Sequence, residues 1–180
     1  MKKLVFLLVI VFLSCKNENT EKEPLTSQNF AEILNDYNEE GFHLYPIKAT
    51  SAGDFRFNTK YPNFLSEAYK DRKKAYYTKF KTALAGVDDS QLTETEKMSK
   101  AVLEWDCNIN LEAMAFKKDL MPIDQMWSKN LDFNQLAGGT NAQPFKTVQD
   151  YKDWLIRVDA YLVWLNSAET QMRKGMESSY

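Results

Sequence analysis

Glu40-Gly41-Phe42-His43 has the Glu-x-x-His spacing that sets both side chains on one face of a helix, as di-iron bundle sites require. Such a site also needs a second copy of the motif and further carboxylates, and the chain holds only one histidine. His43 is therefore read as a residue near a helix C-terminus, close to the free carbonyls of the last turn. The same shortage excludes His-Glu-x-x-His zinc hydrolysis by these residues, since that motif needs two histidines one helical turn apart. No Gly-x-Ser-x-Gly elbow nominates a serine, although composition leaves a Ser-His-Asp relay open. Leu136-Ala137-Gly138-Gly139-Thr140 lacks the Lys-Ser/Thr ending of a phosphate loop and is read as a turn. Cys107 stands in a helical, largely apolar stretch far from His43, which suits a small buried hydrophobe better than a nucleophile. No catalytic, cofactor-binding or metal-ligating residue is nominated in this chain.

The second cysteine points to a different chemistry. Lys2 and Lys3 precede an unbroken apolar run over residues 4–13, the charge and hydrophobicity profile of a secretion signal. As a helix that run is roughly 15 Å long, about half of a ~30 Å hydrocarbon core, and too short for a permanent span. Phe12-Leu13-Ser14-Cys15 puts a small residue before a cysteine with polar Lys16-Asn17-Glu18-Asn19 behind it, which is similar to a lipobox with Phe12 where Leu is usual. Residues 1–14 are expected to be a lipoprotein signal peptide and Cys15 the acylated first residue of the mature chain, carrying palmitate-type chains. An ordinary signal peptide or a short uncleaved anchor would leave Cys15 incidental. Each buried CH₂ contributes about 0.8 kcal/mol, so more than one acyl chain holds a protein stably. Residues 15–26 are polar, lack aromatics and cannot offset their ordering entropy, so they are expected to form a flexible tether.

Composition narrows what the rest can be. Removing Lys2 and Lys3 takes the formal charge of the 180 residues from −2 to −4, with no basic surface of the kind a nucleic acid needs. The densest basic run, Lys70-Asp71-Arg72-Lys73-Lys74, is interrupted by Asp71 and reads as a solvated helix face. With Cys15 acylated, Cys107 has no intramolecular partner, so stability rests on packing despite an exporting, oxidising route.

The elements that would position any site are helical. Ser27 is a good N-cap for a helix through Phe30, Ile33, Leu34 and Tyr37, bracketed by Gly41 and Pro46. Residues 46–62 carry turn signals and read as a connector. A second helix fits residues 66–85, with Leu65, Tyr69, Tyr76, Phe80 and Leu84 on its apolar side and Gly86 as a stop. Thr93 and Glu96 make a capping box, followed by the stripe Met98, Val102, Trp105 and Ile109. Periodicity fades over residues 117–145, where a long connection with little regular structure is expected. Thr147 and Asp150 open a last helix whose apolar face is Val148, Tyr151, Trp154, Leu155, Val158 and Leu162, with the pattern continuing towards Met176 and no stop before Tyr180. That last feature suggests a truncated product or a fragment. The expected fold is all-α: an irregular helical bundle with long loops over residues 27–180. Tyr69, Tyr76, Tyr77, Trp105, Trp127, Trp154 and Trp164 could line a groove for sugar or peptide, but at helical spacing most are assigned to the core.

Three stretches carry a resemblance: residues 46–54 (Pro46-Ile47-Lys48-Ala49-Thr50-Ser51-Ala52-Gly53-Asp54), 121–125 (Met121-Pro122-Ile123-Asp124-Gln125), and 143–151 followed by Trp154-Leu155-x-Arg157. In that order the chain resembles the N-terminal part of the bacterial family called domain of unknown function 885. The resemblance implies a long, mostly helical, often lipid-anchored protein of zinc-peptidase type, whose His-Glu-x-x-His helix lies downstream of the residues here. On that basis zinc and a peptide substrate are expected only of a longer form, and no catalytic residue transfers to a position in this chain. The chain is expected in the bacterial cell envelope, held by lipid to the outer membrane or the periplasmic face. The alternative is a surface lipoprotein that binds sugars or peptides.

Overall fold

The computed structural model describes residues 27–126, 128–139 and 142–178. The expected signal peptide, Cys15 and the tether lie outside the described residues, as do Trp127 and Thr140. Among the described residues there are six helices and no strand. They are α1 (Ser27–Leu44), α2 (Pro46–Ser51), α3 (Glu67–Ala85), α4 (Glu94–Ala113), α5 (Lys129–Ala137) and α6 (Val148–Glu177), with 3-10 turns at Phe55–Phe57, Asp89–Gln91 and Lys118–Leu120. The all-α class expected from the sequence is what the structure has.

The first half is built on α3, which packs against both α1 and α4. Ser66 caps α3 by accepting from the Tyr69 amide, and the helix stops at Gly86 with an ordinary right-handed φ of −86°. Its buried side, Tyr69, Tyr76, Tyr77, Phe80 and Leu84, meets Phe30 of α1 and Cys107 of α4 in one apolar cluster. Phenol hydroxyls knit the helices together there. Tyr76 donates to the Tyr37 carbonyl at 2.6 Å, Tyr69 to the Leu44 carbonyl at 3.2 Å, and Tyr37 to the Asp106 carboxylate. Burial holds the Tyr37, Tyr69, Tyr76 and Tyr77 phenols above their ordinary pKa, so they stay protonated donors. Helix α1 runs through Gly41 to Leu44, and the missing side chain at Gly41 lets the Tyr76 hydroxyl approach, since a Cβ there would lie 2.9 Å from it.

Charge sorts by helix in this half. Helix α1 carries Glu32, Asp36, Glu39 and Glu40 and no lysine or arginine, while α3 carries six basic residues against Glu67 and Asp71. The basic side of α3 is met in part by acidic residues of α3, α1 and the Lys118–Leu120 turn. Lys79 pairs with Glu40, and Lys70 pairs with Glu67 and Asp119 at 2.9 and 2.8 Å. Arg72 and Lys73 lie over the Tyr69 and Tyr77 rings.

Two stretches read as irregular contain helices. Residues 46–51 form α2, because Pro46 occupies the first turn, where its fixed φ suits a helix and its missing N–H is not needed. Residues 129–137 form α5 inside the long connection; nine residues are too few to show periodicity, yet Phe133 and Leu136 are buried. The second core lies here. Phe133 stacks on Tyr161 of α6 with centroids 4.0 Å apart and on Trp154 at 4.7 Å, and Tyr61, Trp164 and Ala168 complete the cluster.

Helix α6 opens on a capping box between Thr147 and Asp150, and its buried residues are Arg157, Trp164, Ala168 and Gly175. The apolar face expected of it is therefore corrected. Trp154 and Val158 pack inward, but Val148, Tyr151, Leu155 and Leu162 are exposed. The α4 stripe behaves alike, with Met98, Val102, Trp105 and Ile109 all exposed, Trp105 at 65 %. These apolar rows meet no covering surface among the described residues. Helix α6 is anchored near its C-terminus by close approach: a Cβ on Gly175 would stand 2.6 Å from the Leu120 carbonyl oxygen.

Candidate functional site

Among the described residues Arg157 is a buried cation with no directly bonded anion. Thr50 comes from α2, Gln143 from the segment leading into α6, and Arg157 from α6 itself, and the three meet in one node. Arg157 Nε donates to the Lys60 carbonyl at 3.1 Å. Its Nη2 donates to the Phe57 carbonyl at 2.6 Å and to Thr50 Oγ1 at 3.0 Å, and its Nη1 donates to Gln143 Oε1. Thr50 Oγ1 lies 3.1 Å from the Pro46 carbonyl and 3.0 Å from Asn58 Oδ1; with one hydrogen to give, it donates to one of these while accepting from Arg157.

Local geometry explains why these segments arrive together. Gly53, with φ of +85°, reverses the chain after α2. Asp54 then caps the following 3-10 turn by accepting from the Arg56 amide at 3.0 Å, which presents the Phe57 and Lys60 carbonyls to α6. At the other side, Asp150 accepts from the Lys146 and Thr147 amides at 2.9 and 2.7 Å and fixes the approach of Gln143 to the helix start.

Arg157 is 0 % exposed and every direct partner is neutral. Taking a cation out of water costs several kcal/mol even after the protein relaxes. Burial accordingly pushes the Arg157 guanidinium down to about 10, with Asp153 and Tyr61 opposing part of the effect. Gln143, 1 % exposed, must turn its oxygen to Arg157, because its amide nitrogen would set donor against donor. Its Nε2 is left buried with no partner.

These three segments include the stretches that carry the family resemblance, and the family described as bacterial protein of unknown function (DUF885) matches residues 46–180. The chain belongs to that family. No curated protein and no solved structure matches it. Within the DUF885 match, residues 46–54, 143–151 and 154–157 supply Thr50, Gln143 and Arg157, while Phe57, Asn58 and Lys60 come from the residues that follow the first stretch. Residues 121–125 serve another part: Ile123 packs on the second core, and the Asp124 carbonyl accepts from the Ser128 hydroxyl at 2.9 Å.

The other residues weighed from sequence are dispersed. Glu40 is engaged with Lys79, and His43 stands exposed in the last turn of α1 with its ring edge-on to Phe57 at 4.9 Å. Both border an open groove of about 440 Å³ between α1 and α3, walled by Leu44, Ala75 and Tyr76. Among the described residues no three of His, Cys, Asp and Glu are grouped as a metal site would require. Cys107 is fully buried, and burial pushes its thiol up to about 11, as befits an inert core residue. Of the seven aromatics, Tyr69, Tyr76, Tyr77 and Trp164 are core, Trp154 is half-buried, Trp105 is exposed, and Trp127 lies outside the described residues. Gly138 caps α5 and Gly139 turns at φ of +66°, so the Gly-Gly pair is a turn.

Arg157 was within reach of the sequence only as the last letter of a motif, and nothing in its spacing marks it as buried. The one available signal is that it stands among Trp154, Val158, Tyr161 and Trp164 at helical intervals, on the side that packs. Asn58 carries no signal of its own.

Proposed function

We propose that the chain is a lipid-anchored, helical N-terminal part of a zinc-peptidase-like protein, and that these residues furnish scaffold and cleft wall without hydrolysing anything themselves. Membership of the DUF885 family supports the architecture. The observation that carries the reading is the pair of uncovered apolar rows on α4 and α6, since a soluble body rarely leaves contiguous apolar patches of this extent open unless something packs there. Further helices of the same protein, bearing the zinc-binding segment, are the covering surface this reading supplies.

Attachment through Cys15 places the body at the envelope membrane. Among the described residues no helix is long and apolar enough to cross a bilayer, so the lipid would be the anchor. The residues 15–26 reach at most about 40 Å when extended, which keeps α1 near the membrane surface.

Sequencing the DNA beyond the Tyr180 codon, followed by a peptidase assay, tests the proposal. An in-frame continuation with a His-Glu-x-x-His helix is expected, and the longer protein should cleave a peptide library only with zinc. Turnover by the 180-residue chain alone, or a stop codon in the gene at that point, would overturn it. For the anchor, labelled palmitate should be incorporated by the parent and not by Cys15→Ala, which should also leave the membrane fraction. Of the aromatics weighed for a sugar or peptide groove, Trp105 is the one exposed tryptophan among the described residues.

A further inference from the structure

The Arg157 node has more donors than acceptors. A guanidinium offers five N–H groups. The contacts to Lys60, Phe57, Thr50 and Gln143 occupy four of them and leave one hydrogen on Nη1. Gln143 Nε2 adds two more hydrogens, buried and unpartnered beside it. The positive charge faces a hydroxyl, an amide oxygen and two carbonyls, none of which neutralises it. Donors in excess, a cation and no solvent make the chemical complement of a carboxylate, whose oxygens only accept and whose charge is opposite.

We propose that Arg157 and Gln143 form a carboxylate-binding site, taking a small organic acid or the C-terminal carboxylate of a peptide. One oxygen accepts from the free Nη1 hydrogen and from Gln143 Nε2, and the anion supplies the charge the node lacks. The residue at 143 is informative by its type. A glutamate there would close the node as an internal ion pair and use no donor wastefully. The glutamine keeps the cation available at a cost in stability, the usual sign of a position shaped by something other than folding. Because both side chains are sealed, a carboxylate enters as residues 142–145 part from α6, so slow onset belongs to the expected behaviour. This inference concerns the 180-residue chain without metal, so it stands or falls separately from the peptidase reading.

The test is a melting series on the whole chain with sodium acetate, an N-acetyl dipeptide with a free C-terminus and the same dipeptide as its amide, each against sodium chloride at equal ionic strength. Tm should rise saturably with the free carboxylates and not with the amide. A response to acetate identifies a small acid as sufficient, and a response to the dipeptide alone identifies a peptide terminus. Gln143→Met, which removes the amide donor at similar volume, should lose the response. Gln143→Glu should melt about 2–4 °C above the parent, the shift expected of roughly 1 kcal/mol in a chain of this size, and should ignore added carboxylate. No carboxylate-specific rise in the parent, an equal rise in Gln143→Met, or a Gln143→Glu that melts no higher would overturn the proposal.

Discussion

In α3 the buried side is Tyr69, Tyr76, Tyr77, Phe80 and Leu84, whereas in α6 it is Arg157, Trp164, Ala168 and Gly175, while Leu155, Ile156, Leu162 and Val163 face outward. The two helices use similar apolar content to opposite effect. Helix α3 lies against α1 and α4, so each of its large apolar residues finds a surface. Helix α6 is apolar on two sides and has a covering for one. Its inner side takes what fits tightly against other backbone: a glycine under the Leu120 carbonyl, an alanine, and an arginine that collects carbonyl oxygens. The lesson is that burial follows the partner surface and not the hydrophobicity of the side chain alone. Fully burying a Leu, Ile or Val is worth about 1.5–3 kcal/mol, so the outward row of α6 leaves several kcal/mol unrealised until something packs on it.

The largest expected effect lies in α3. Phe80→Ala should cost about 3–5 kcal/mol in urea unfolding, because the ring is buried between Tyr37 and Tyr76 and its loss leaves a cavity. A cost below about 1 kcal/mol would mean that the α1/α3/α4 core is loosely packed and that the contrast with α6 is weaker than drawn. Arg157→Met comes next. It relieves a buried charge but strands the Lys60 carbonyl and the Gln143 amide oxygen, each costing about 1–3 kcal/mol when unsatisfied, while the Phe57 carbonyl keeps the Lys60 amide as its donor. A net loss of about 2–4 kcal/mol is expected, and a stabilised variant would show that the node is a burden that contributes no cohesion. Gly175→Ala should cost about 1–3 kcal/mol, since its methyl group meets backbone at 2.6 Å and neither helix α6 nor the Lys118–Leu120 turn can give without shifting.

Cys107 sharpens the comparison from the α4 side with a smaller effect. Its thiol is raised from 9.0 to about 11 by burial, so the folded protein holds the proton more tightly than the unfolded chain. The resulting stability is fully present below pH 9 and is lost as pH rises towards 11. Urea midpoints should fall across that window, less steeply in Cys107→Ala, and the native thiol should resist alkylation at pH 8 until the protein is unfolded.

Much of the first half was legible because its signals are local. Ser66 and Gly86 mark the ends of α3, the Thr93 and Glu96 box marks the start of α4, and the spacing of Tyr69, Tyr76, Phe80 and Leu84 gives the packed side. Helix α2 was hidden by Pro46, which serves equally to break one helix and to begin another. Helix α5 was hidden by its length and by Asn130 and Asp132 in its first turn. The node was hidden for a different reason. Its two halves, residues 50–60 and residues 143–157, lie about a hundred residues apart in sequence, 107 between Thr50 and Arg157, and an arginine is by type an expected surface residue. Nothing in composition foretells that the Phe57 and Lys60 carbonyls, at and just after a 3-10 turn, will accept from it in the interior.

The gentlest test bears directly on the outward face of α6. Leu162→Gln replaces a side chain 49 % exposed with one of similar length, and in the 180-residue chain it should change stability by no more than about 0.5 kcal/mol. The paired substitution Leu155→Gln should behave the same, and because the two lie two helical turns apart their small effects should add. Binding of an apolar dye to the folded chain should drop more clearly than stability does, since the two changes interrupt one exposed row. A loss near 2 kcal/mol from either change would mean that the row is already covered in solution, and the difference between α3 and α6 would then reduce to one of partner identity. In a longer protein that carries the covering helices, the same Leu162→Gln should cost as much as a core change. That dependence on chain length is the sharpest way to tell an unfilled interface from an ordinary surface.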